Sequence, residues 1–399
     1  MEFTQIRRIP NEAFAGAPHV TIVNMVGNLF TNFDIDAFRG LGHLEKILSR
    51  NNSIATFPNL THVGSTLKIV NFAKNKMTDF NQSEFTNMTA LTDLMLEGNK
   101  FSPNIVPIIV QGSPNLKKLS FKDMFFASLN VSYLAGLDQL LFLDISGCGL
   151  TEIPTFPELP KLKIVRLNNN LITSITSAPF VMLPIISTLF FQSSTNINLI
   201  TDMTAMKNLR TLNMSKTGIT ELDLANFRML RFAYIRQTQI RIMPNISFSK
   251  VIDFDISNNS LTEIPREKVT NLTTAEKLVF DFNRLSNFPF DIILNSPVLI
   301  LLSLVGNNFQ TIPDLSSYET TRTSPLHIEM FGNPIECDHR IAWLKNFDSS
   351  NMKITFSETP CVYPPNLVDV HWDQISISDL IPGGKKHLIN KYVARDDHD

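Results

Sequence analysis

The strongest constraint on how this chain can fold is a short apolar pattern that recurs along most of its length. Apolar residues occupy the first and fourth positions of every copy and the sixth position of all but one, where Ser49 stands, and asparagine often occupies the ninth. In the clearest copy, VIDFDISNNSLTEIP, these positions hold Val251, Phe254, Ile256 and Asn259. Fourteen copies, spaced by 21 to 26 residues, start at Val20, Leu44, Leu67, Leu91, Leu116, Leu140, Leu162, Ile186, Leu209, Leu230, Val251, Ala275, Leu299 and Pro325. Such a period predicts stacked coils, because one copy alone cannot bury its apolar side chains.

The spacing of the apolar positions also predicts the secondary structure of each copy. Positions four and six point into the coil and positions three and five point outward, because side chains alternate along a β-strand. Stacked coils would then form a parallel sheet that exposes the outward positions. Phenylalanine recurs where the chain returns on the opposite side, and we interpret it there as core packing: Phe14, Phe38, Phe85, Phe180 and Phe227.

The ninth position distinguishes the centre of the array from its ends. An asparagine there can hydrogen-bond the backbone of adjacent coils. Nine copies have it: Asn28, Asn52, Asn75, Asn99, Asn170, Asn259, Asn283, Asn307 and Asn333. The exceptions all fall within the fifth to tenth copies: Met124, Cys148, Ser194, Thr217 and Thr238. We therefore expect a locally irregular centre with altered twist or curvature, and we interpret Cys148 as a buried free thiol.

A cysteine-bearing stretch, NPIECDHRIAWLKNF, begins at Asn333 and follows the last strand. It resembles the opening of the C-terminal cap of extracellular leucine-rich-repeat proteins, in which the first of four cysteines bridges the third and the second bridges the fourth. Here His339 stands at the second position, and no cysteine follows Cys361. The resemblance therefore implies a single disulfide between Cys337 and Cys361, which would stabilise the fold by about 3 kcal/mol. The alternative is a zinc site formed by Cys337, His339, Cys361 and His371, although this spacing matches no common zinc motif.

The whole chain resembles the extracellular leucine-rich-repeat superfamily. Its unit length, with phenylalanine at the return, is similar to that of Toll-like receptor ectodomains and their secreted relatives. The resemblance implies an α/β solenoid, a curved horseshoe with the parallel sheet on its concave face and a small C-terminal cap. The predicted organisation is an array over residues 1–333, with one partial copy before the fourteen, then a cap over 334–381 and a polar tail over 382–399.

Composition and motif content argue against several classes of function. The formal net charge is -2, from 35 basic and 37 acidic residues that are well mixed, so neither nucleic acid nor an anionic membrane is an expected partner. The sequence contains no hydrolase, metalloprotease, phosphate-binding or dinucleotide motif. We therefore predict no enzymatic activity, no cofactor and no metal. Asp253 and Asp255 could form a carboxylate pair or a calcium site, but we interpret them as solvated surface acids.

Several features predict an extracellular protein, either secreted or a cell-surface ectodomain. The cysteine-bearing cap is typical of such proteins, and the start of the chain, with no basic and apolar leader, predicts a trimmed ectodomain or a fragment. No apolar run reaches membrane length, so membrane attachment would require a segment absent from this chain. Seven asparagines are predicted glycosylation sites: Asn51, Asn59, Asn81, Asn87, Asn130, Asn245 and Asn271.

The outward positions of the irregular centre carry the candidate ligand-binding residues. These are Arg166, Phe190, Tyr234, Arg236 and Asp255. Aromatic side chains and arginine are enriched in binding hot spots, and the resemblance implies ligand binding near an interruption of the ninth-position asparagines. Asn213 also begins a glycosylation sequence motif, which argues against this site because a glycan on Asn213 would stand between Phe190 and Tyr234.

These observations predict a non-enzymatic extracellular recognition module for innate immunity or cell-surface signalling. Its partner would be a protein, a glycan or a microbial ligand, and a homodimer or heterodimer is compatible with this prediction. The alternative hypothesis is a structural or adhesion protein of the extracellular matrix, which would engage partners through its flanks and glycans.

Overall fold

The computed structural model describes residues 6–80, 82–126, 129–247, 250–321, 324–356 and 360–381. The chain forms two compact units, Met1–Leu209 and Arg210–Asp399. The boundary predicted between array and cap, at residues 333 and 334, falls inside the second unit and stays a prediction. The polar tail predicted over 382–399 lies outside the described residues.

The first unit is built from short parallel strands separated by turns. Its strands are β1 (Arg8–Ile9), β2 (Ile22–Asn24), β3 (Asn32–Phe33), β4 (Lys46–Leu48), β5 (Ile69–Asn71), β6 (Asp93–Met95), β7 (Lys118–Ser120), β8 (Phe142–Asp144), β9 (Ile164–Arg166), β10 (Ser174–Ile175), β11 (Thr188–Phe190) and β12 (Leu199–Ile200). Strands β2, β4, β5, β6, β7, β8, β9 and β11 pair in that order in a parallel sheet. The pairs β1–β3 and β10–β12 form two small parallel sheets on their own.

The second unit continues the same arrangement of strand, turn and return. Its strands are β13 (Thr211–Asn213), β14 (Phe232–Tyr234), β15 (Asp253–Asp255), β16 (Lys277–Val279), β17 (Leu301–Ser303), β18 (Leu326–Glu329) and β19 (Met352–Thr355). They pair in chain order, and every pair is parallel. Because β19 comes after the last copy of the apolar pattern, the predicted cap contributes a strand to this sheet.

The helices are short and lie in the returns and in the C-terminal region. The α-helices are α1 (Ile105–Gly112) and α2 (Ile377–Leu380). The 3-10 helices span Gln82–Glu84, Val131–Leu134, Ala178–Phe180, Thr204–Met206, Arg266–Lys268, Phe290–Asn295, Ser316–Thr321, His339–Asn346, Pro365–Leu367 and Trp372–Gln374. Within the residues that the structure describes, none of the helices has the length and apolar character needed to cross a membrane.

The predicted leucine-rich-repeat fold is confirmed in each unit. Every one of the fourteen copies has its sheet strand at the predicted third to fifth positions, with β18 beginning one residue early. The phenylalanines of the returns also lie where we expected them. Phe38, Phe85, Phe180 and Phe227 are at most 1% exposed, whereas Phe14 is only partly buried. The period of the apolar residues therefore determines both the strands and the core.

A residue with a positive φ closes the turn after each of these fourteen strands. It stands at the eighth position of every copy: Gly27, Asn51, Lys74, Gly98, Asp123, Gly147, Asn169, Ser193, Lys216, Gln237, Asn258, Phe282, Gly306 and Gly332. Glycine and asparagine tolerate this conformation most easily. The copies that lack the ninth-position asparagine keep the turn, so the predicted irregularity of the centre does not extend to it.

Most of the ninth-position side chains connect neighbouring coils, as predicted, whereas Thr217 bonds the Met214 carbonyl of its own coil. The Asn75 side-chain amide donates to the Ser49 carbonyl of the preceding coil at 2.9 Å. Two of the exceptions make the same kind of bond: Cys148 Sγ donates to the Phe121 carbonyl at 3.3 Å, and Ser194 Oγ donates to a carbonyl of the preceding coil at 3.2 Å. A thiol or a hydroxyl thus partly replaces the amide in the centre of the array.

The cysteines lie in two different environments. Cys337 and Cys361 form a disulfide, with their Cα atoms 5.7 Å apart. The zinc-site alternative is therefore wrong, because the disulfide occupies both thiolates that the metal would need. Cys148 is free and buried, and burial raises the pKa of its thiol to about 12. A thiol in this environment is a poor nucleophile at neutral pH.

Candidate ligand-binding surface

In the first unit, one arginine lies among aromatic rings on the outward face of the sheet. Arg166 ends β9, and the register places it beside Asp144 at the end of β8 and Phe190 at the end of β11. Its guanidinium carbon lies 5.1 Å from the centre of the Phe142 ring and 5.4 Å from that of Phe190. Arg166 Nη1 is 3.7 Å from Asp144 Oδ2. We name Phe142, Asp144, Arg166 and Phe190 the Arg166 cluster.

In the second unit, an arginine is held by a hydrogen bond to a carboxylate. Arg236 Nε donates to Asp255 Oδ2 at 2.7 Å, and the guanidinium carbon lies 5.2 Å from the centre of the Tyr234 ring. The Tyr234 hydroxyl donates to Asp253 Oδ2 at 3.1 Å. Burial, together with the nearby charge of Asp253, raises the pKa of Tyr234. We name Tyr234, Arg236, Asp253 and Asp255 the Arg236 cluster.

The acids of the Arg236 cluster are less exposed than we expected. Asp255 is only 5% exposed, because Arg236 covers it and the Ser257 backbone N–H donates to its Oδ1 at 3.0 Å. Asp253 is half-buried, and its Oδ1 has no hydrogen-bond partner among the described residues. The interpretation of these residues as solvated surface acids is therefore wrong. Asp255 positions the guanidinium, while Arg236 is the side chain that a partner can reach.

The structure brings the five candidate residues together in two groups. Arg166 and Phe190 are neighbours in the first unit, whereas Tyr234, Arg236 and Asp255 are neighbours in the second. Phe142 was not among the candidate residues predicted from the sequence. Its signal was an aromatic residue at the outward third position of the copy before that of Arg166. The candidates also did not include Asp144 and Asp253, whose signal was an acid at an outward position in a copy adjacent to an arginine or a tyrosine.

The glycosylation predictions bear on the same surface. Asn213 ends β13 and is paired in register with Tyr234, so a glycan there would stand beside the Arg236 cluster. Asn51, Asn87, Asn130 and Asn271 are exposed, and Asn59 and Asn245 are partly exposed, so all of these stay predicted sites. Asn81 lies outside the described residues.

The two clusters offer non-covalent recognition chemistry. Each presents a guanidinium, which can donate several hydrogen bonds in a fixed plane, above an aromatic ring that supplies apolar contact area. The part of the chain that the structure describes holds no group of three or more histidine, cysteine, aspartate or glutamate side chains arranged for a metal ion. Such surfaces suit a protein, peptide or glycan ligand, because charged donors and rings lie side by side.

Comparison with known families gives a match in the middle of the chain. The family model described as Leucine Rich repeats (2 copies) matches residues 138–179, which include β8 and β9. The matched segment therefore contains Phe142, Asp144 and Arg166. It is built from two consecutive copies of the apolar pattern that organises the rest of the chain.

Relatives of known name match part of the chain at low identity. Leucine-rich repeat and fibronectin type III domain-containing protein 1 of Danio rerio is 25% identical over 169 residues, which cover 38% of this chain and 28% of the relative. Epiphycan of Mus musculus is 26% identical over 172 residues, 41% of this chain and 52% of the relative. Toll-like receptor 3 of Boselaphus tragocamelus is 24% identical over 185 residues, 44% of this chain and 20% of the relative. The matches thus span about half or less of the relatives' own lengths.

Solved structures match over more of the chain. A leucine-rich-repeat protein of Leptospira interrogans superposes with a TM-score of 0.70 at 20% identity, covering 88% of this chain and 90% of that one. A chain of the Drosophila Toll–Spatzle complex superposes with a TM-score of 0.64 at 15% identity, covering 93% of this chain and 59% of that one. These similarities show the fold.

Proposed function

We propose, from the premise that this chain is a leucine-rich-repeat protein resembling Toll-like receptor ectodomains and their secreted relatives, that it is a non-enzymatic recognition module. It is an extracellular protein, either secreted or a cell-surface ectodomain. Its ligand in this proposal is a protein or a microbial molecule, and its role belongs to innate immunity or cell-surface signalling.

The Arg236 cluster is the observation that carries this proposal. Tyrosine and arginine are among the residue types enriched in binding hot spots. Here the two side chains are pre-organised, because Asp255 holds the guanidinium through a 2.7 Å hydrogen bond and Asp253 accepts from the tyrosine hydroxyl. A side chain that is already ordered loses less conformational entropy when a partner binds. The Arg166 cluster supplies the same chemistry in the first unit.

A structural or adhesion protein of the extracellular matrix is the second candidate function. The relatives favour neither candidate, since they include Toll-like receptor 3 as well as epiphycan. The two candidates differ in where partners bind. A recognition module uses a discrete surface of outward side chains, whereas a matrix protein in this hypothesis uses its flanks and glycans.

A screen followed by affinity measurements tests this proposal. The purified chain is screened against arrays of secreted proteins and microbial glycans, and the affinity of each variant is then measured for every partner found. Tyr234→Ala is expected to weaken binding by about 1 to 3 kcal/mol. Arg236→Lys is expected to weaken it less, because lysine keeps a positive charge beside Asp255 but loses the planar donors. We choose lysine because alanine at residue 236 would leave a buried carboxylate without its cation.

Matched controls separate binding from folding in this experiment. Ile242→Ala and Val181→Ala remove apolar side chains that are 66% and 63% exposed and belong to neither cluster. Both controls are expected to bind and melt as the wild type does. If Tyr234→Ala and Arg236→Lys also bind as the wild type does, the matrix-protein hypothesis takes precedence. Mass spectrometry of the secreted protein should find Asn213 without a glycan, and an occupied Asn213 would exclude the Arg236 cluster as the contact surface.

A further inference from the structure

Phe282 is unusual among the residues that close the fourteen turns. It has a φ of 52°, a left-handed conformation that a bulky side chain rarely adopts. The other thirteen eighth positions hold glycine, asparagine, aspartate, serine, lysine or glutamine. A phenylalanine is therefore strained here, and its ring is 55% exposed. Strained residues that the fold keeps tend to occur at functional sites, so Phe282 calls for a functional explanation.

The ring of Phe282 rests on the next turn. A side-chain Cβ atom built on Gly306 would lie only 2.5 Å from Cδ1 of the Phe282 ring, so a larger residue at this position would displace the ring. Gly332 closes the following turn, and a Cβ atom built on it would lie 3.5 Å from the Cα atom of Gly306. Its neighbour Phe331 is 41% exposed. We name Phe282, Gly306, Phe331 and Gly332 the aromatic edge. It presents two exposed aromatic rings and two turns closed by glycine on consecutive coils of the second unit.

An acidic cavity of about 320 Å³ adjoins the aromatic edge, and Phe282 forms part of its wall. Asp281 and Glu329 also line it, and the Ser303 hydroxyl lies 2.6 Å from Asp281 Oδ1 and 3.2 Å from Glu329 Oε2. The Val305 backbone N–H donates to Asp281 Oδ1 at 3.0 Å. These bonds connect the three consecutive coils that contain β16, β17 and β18, so the two carboxylates are held in fixed positions in the cavity.

The charges around the cavity favour a positively charged ligand group. Three carboxylates line it, those of Asp255, Asp281 and Glu329, against the two cations Arg236 and Lys277. Asp255 already pairs with Arg236 at 2.7 Å. Burial raises the pKa of Asp281, and the charges of Asp255 and Glu329 raise it further. A cation that entered the cavity would offset the repulsion between these carboxylates, because an opposite charge favours the ionised form of a carboxyl group.

We propose that the aromatic edge and the acidic cavity form one docking surface for a segment of a partner protein in which a lysine or arginine adjoins an aromatic or large aliphatic side chain. The cation enters between Asp281 and Glu329, while the apolar side chain packs on Phe282 and Gly306. Charge complementarity identifies the basic residue, and the exposed ring identifies its apolar neighbour. The inference rests on the proposed recognition function and extends its surface, because Arg236 and Asp255 of the Arg236 cluster also line the acidic cavity.

Fluorine NMR with two synthetic peptides tests the proposal. The peptides are Gly-Gly-Lys-(4-fluoro-Phe)-Lys-Gly-Gly and the same sequence with both lysines replaced by glutamate. The lysine peptide is expected to bind the full chain saturably, and the glutamate peptide at least about fivefold more weakly. Phe282→Asn is expected to weaken binding of the lysine peptide by about fivefold or more. Asparagine already closes the turns at Asn51, Asn169 and Asn258, so this variant should melt no lower than the wild type.

A second variant keeps the test decisive if Phe282→Asn alters the fold. The double variant Asp281→Asn/Glu329→Gln preserves the size of both side chains, removes their charge and is expected to abolish the preference for the lysine peptide. Ile242→Ala, the control on an exposed apolar residue of the same unit, should bind as the wild type does. Equal binding of the two peptides, no saturable binding of the lysine peptide, or unchanged binding by a folded Phe282→Asn variant would overturn the inference. Tyr234 is not among the residues that line the cavity, so the binding test of Tyr234→Ala separates a failure of this inference from a failure of the proposed function.

Discussion

The Arg166 and Arg236 clusters hold an arginine above an aromatic ring in different ways. Arg166 lies close to two phenyl rings, and its nearest carboxylate contact is 3.7 Å, longer than a hydrogen bond. Arg236 lies over one tyrosine ring and donates a 2.7 Å hydrogen bond to Asp255. The first guanidinium is thus placed mainly by ring contacts, and the second mainly by a charge-assisted hydrogen bond.

This difference has consequences for both stability and binding. Asp144 and Asp255 are both nearly buried, at 4% and 5% exposure, but only Asp255 has a hydrogen-bonded cation. A buried carboxylate depends strongly on such a partner. The Arg236 cluster should therefore be the more rigid and the more sensitive to substitution, while Arg166 keeps more of its donors for a ligand.

The largest expected effect is on stability, at the two buried aspartates. Asp255→Ala removes the acceptor for both Arg236 Nε and the Ser257 backbone N–H, and should lower the free energy of unfolding by about 2 to 3 kcal/mol. Asp144→Ala removes the acceptor for the Ser146 backbone N–H and a longer contact to Arg166, and should cost about 1 kcal/mol less than Asp255→Ala. Urea unfolding followed by circular dichroism measures both.

Asp255→Asn serves as the control for that comparison. The asparagine oxygen can still accept from the Ser257 backbone N–H, so the loss should be smaller than for alanine and should report the charge-assisted bond to Arg236. If Asp144→Ala destabilises the chain as much as Asp255→Ala, the difference in arginine geometry has no energetic meaning.

A smaller effect is expected at the tyrosine hydroxyl. Tyr234→Phe keeps the ring beneath Arg236 but removes the hydrogen bond to Asp253, and should cost about 1 kcal/mol at neutral pH. The structural reason is that Asp253 Oδ1 is already without a hydrogen-bond partner among the described residues, so the substitution leaves the second oxygen without this donor too.

The pH dependence of this variant tests the same contact. Burial and Asp253 raise the pKa of Tyr234 in the folded state, so its protonated form contributes stability below about pH 10, the ordinary tyrosine pKa. That contribution is lost as the pH rises through the raised value. The stability deficit of Tyr234→Phe relative to wild type should therefore shrink above about pH 10. A deficit that stays constant up to the alkaline unfolding limit would exclude this account of the hydroxyl.

Much of the fold could be predicted from the sequence, because a strand that repeats every two dozen residues leaves the same local signal each time. All fourteen strands lie at the expected positions, and the phenylalanine of most returns is in the core. The burial of Asp255 could not be predicted in the same way. It depends on whether Arg236 of the neighbouring coil folds over it, which is a choice between side-chain conformations that the apolar period does not contain.

Phe282 is a second residue whose importance could be only partly predicted from the sequence. Its position in the repeat was readable, since a phenylalanine at the eighth position differs from every other copy. The meaning of that position became clear only from the backbone, which has a positive φ in all fourteen copies and makes a bulky side chain costly there. An alignment of the copies on the turn, as well as on the strand, would have selected Phe282.

The smallest expected effect concerns the rings beside Arg166. Phe142→Leu keeps apolar volume at the third position of its copy but removes the ring 5.1 Å from the guanidinium, and cation–π contacts at exposed sites contribute about 0.5 to 1 kcal/mol. Because Phe190 remains at 5.4 Å, Arg166 should stay in place, and the double variant Phe142→Leu/Phe190→Leu should lose more than the sum of the single variants. Urea unfolding of the four proteins in this cycle measures the coupling. A purely additive result would mean that the two rings act on Arg166 independently, and the Arg166 cluster would then be two separate pairs.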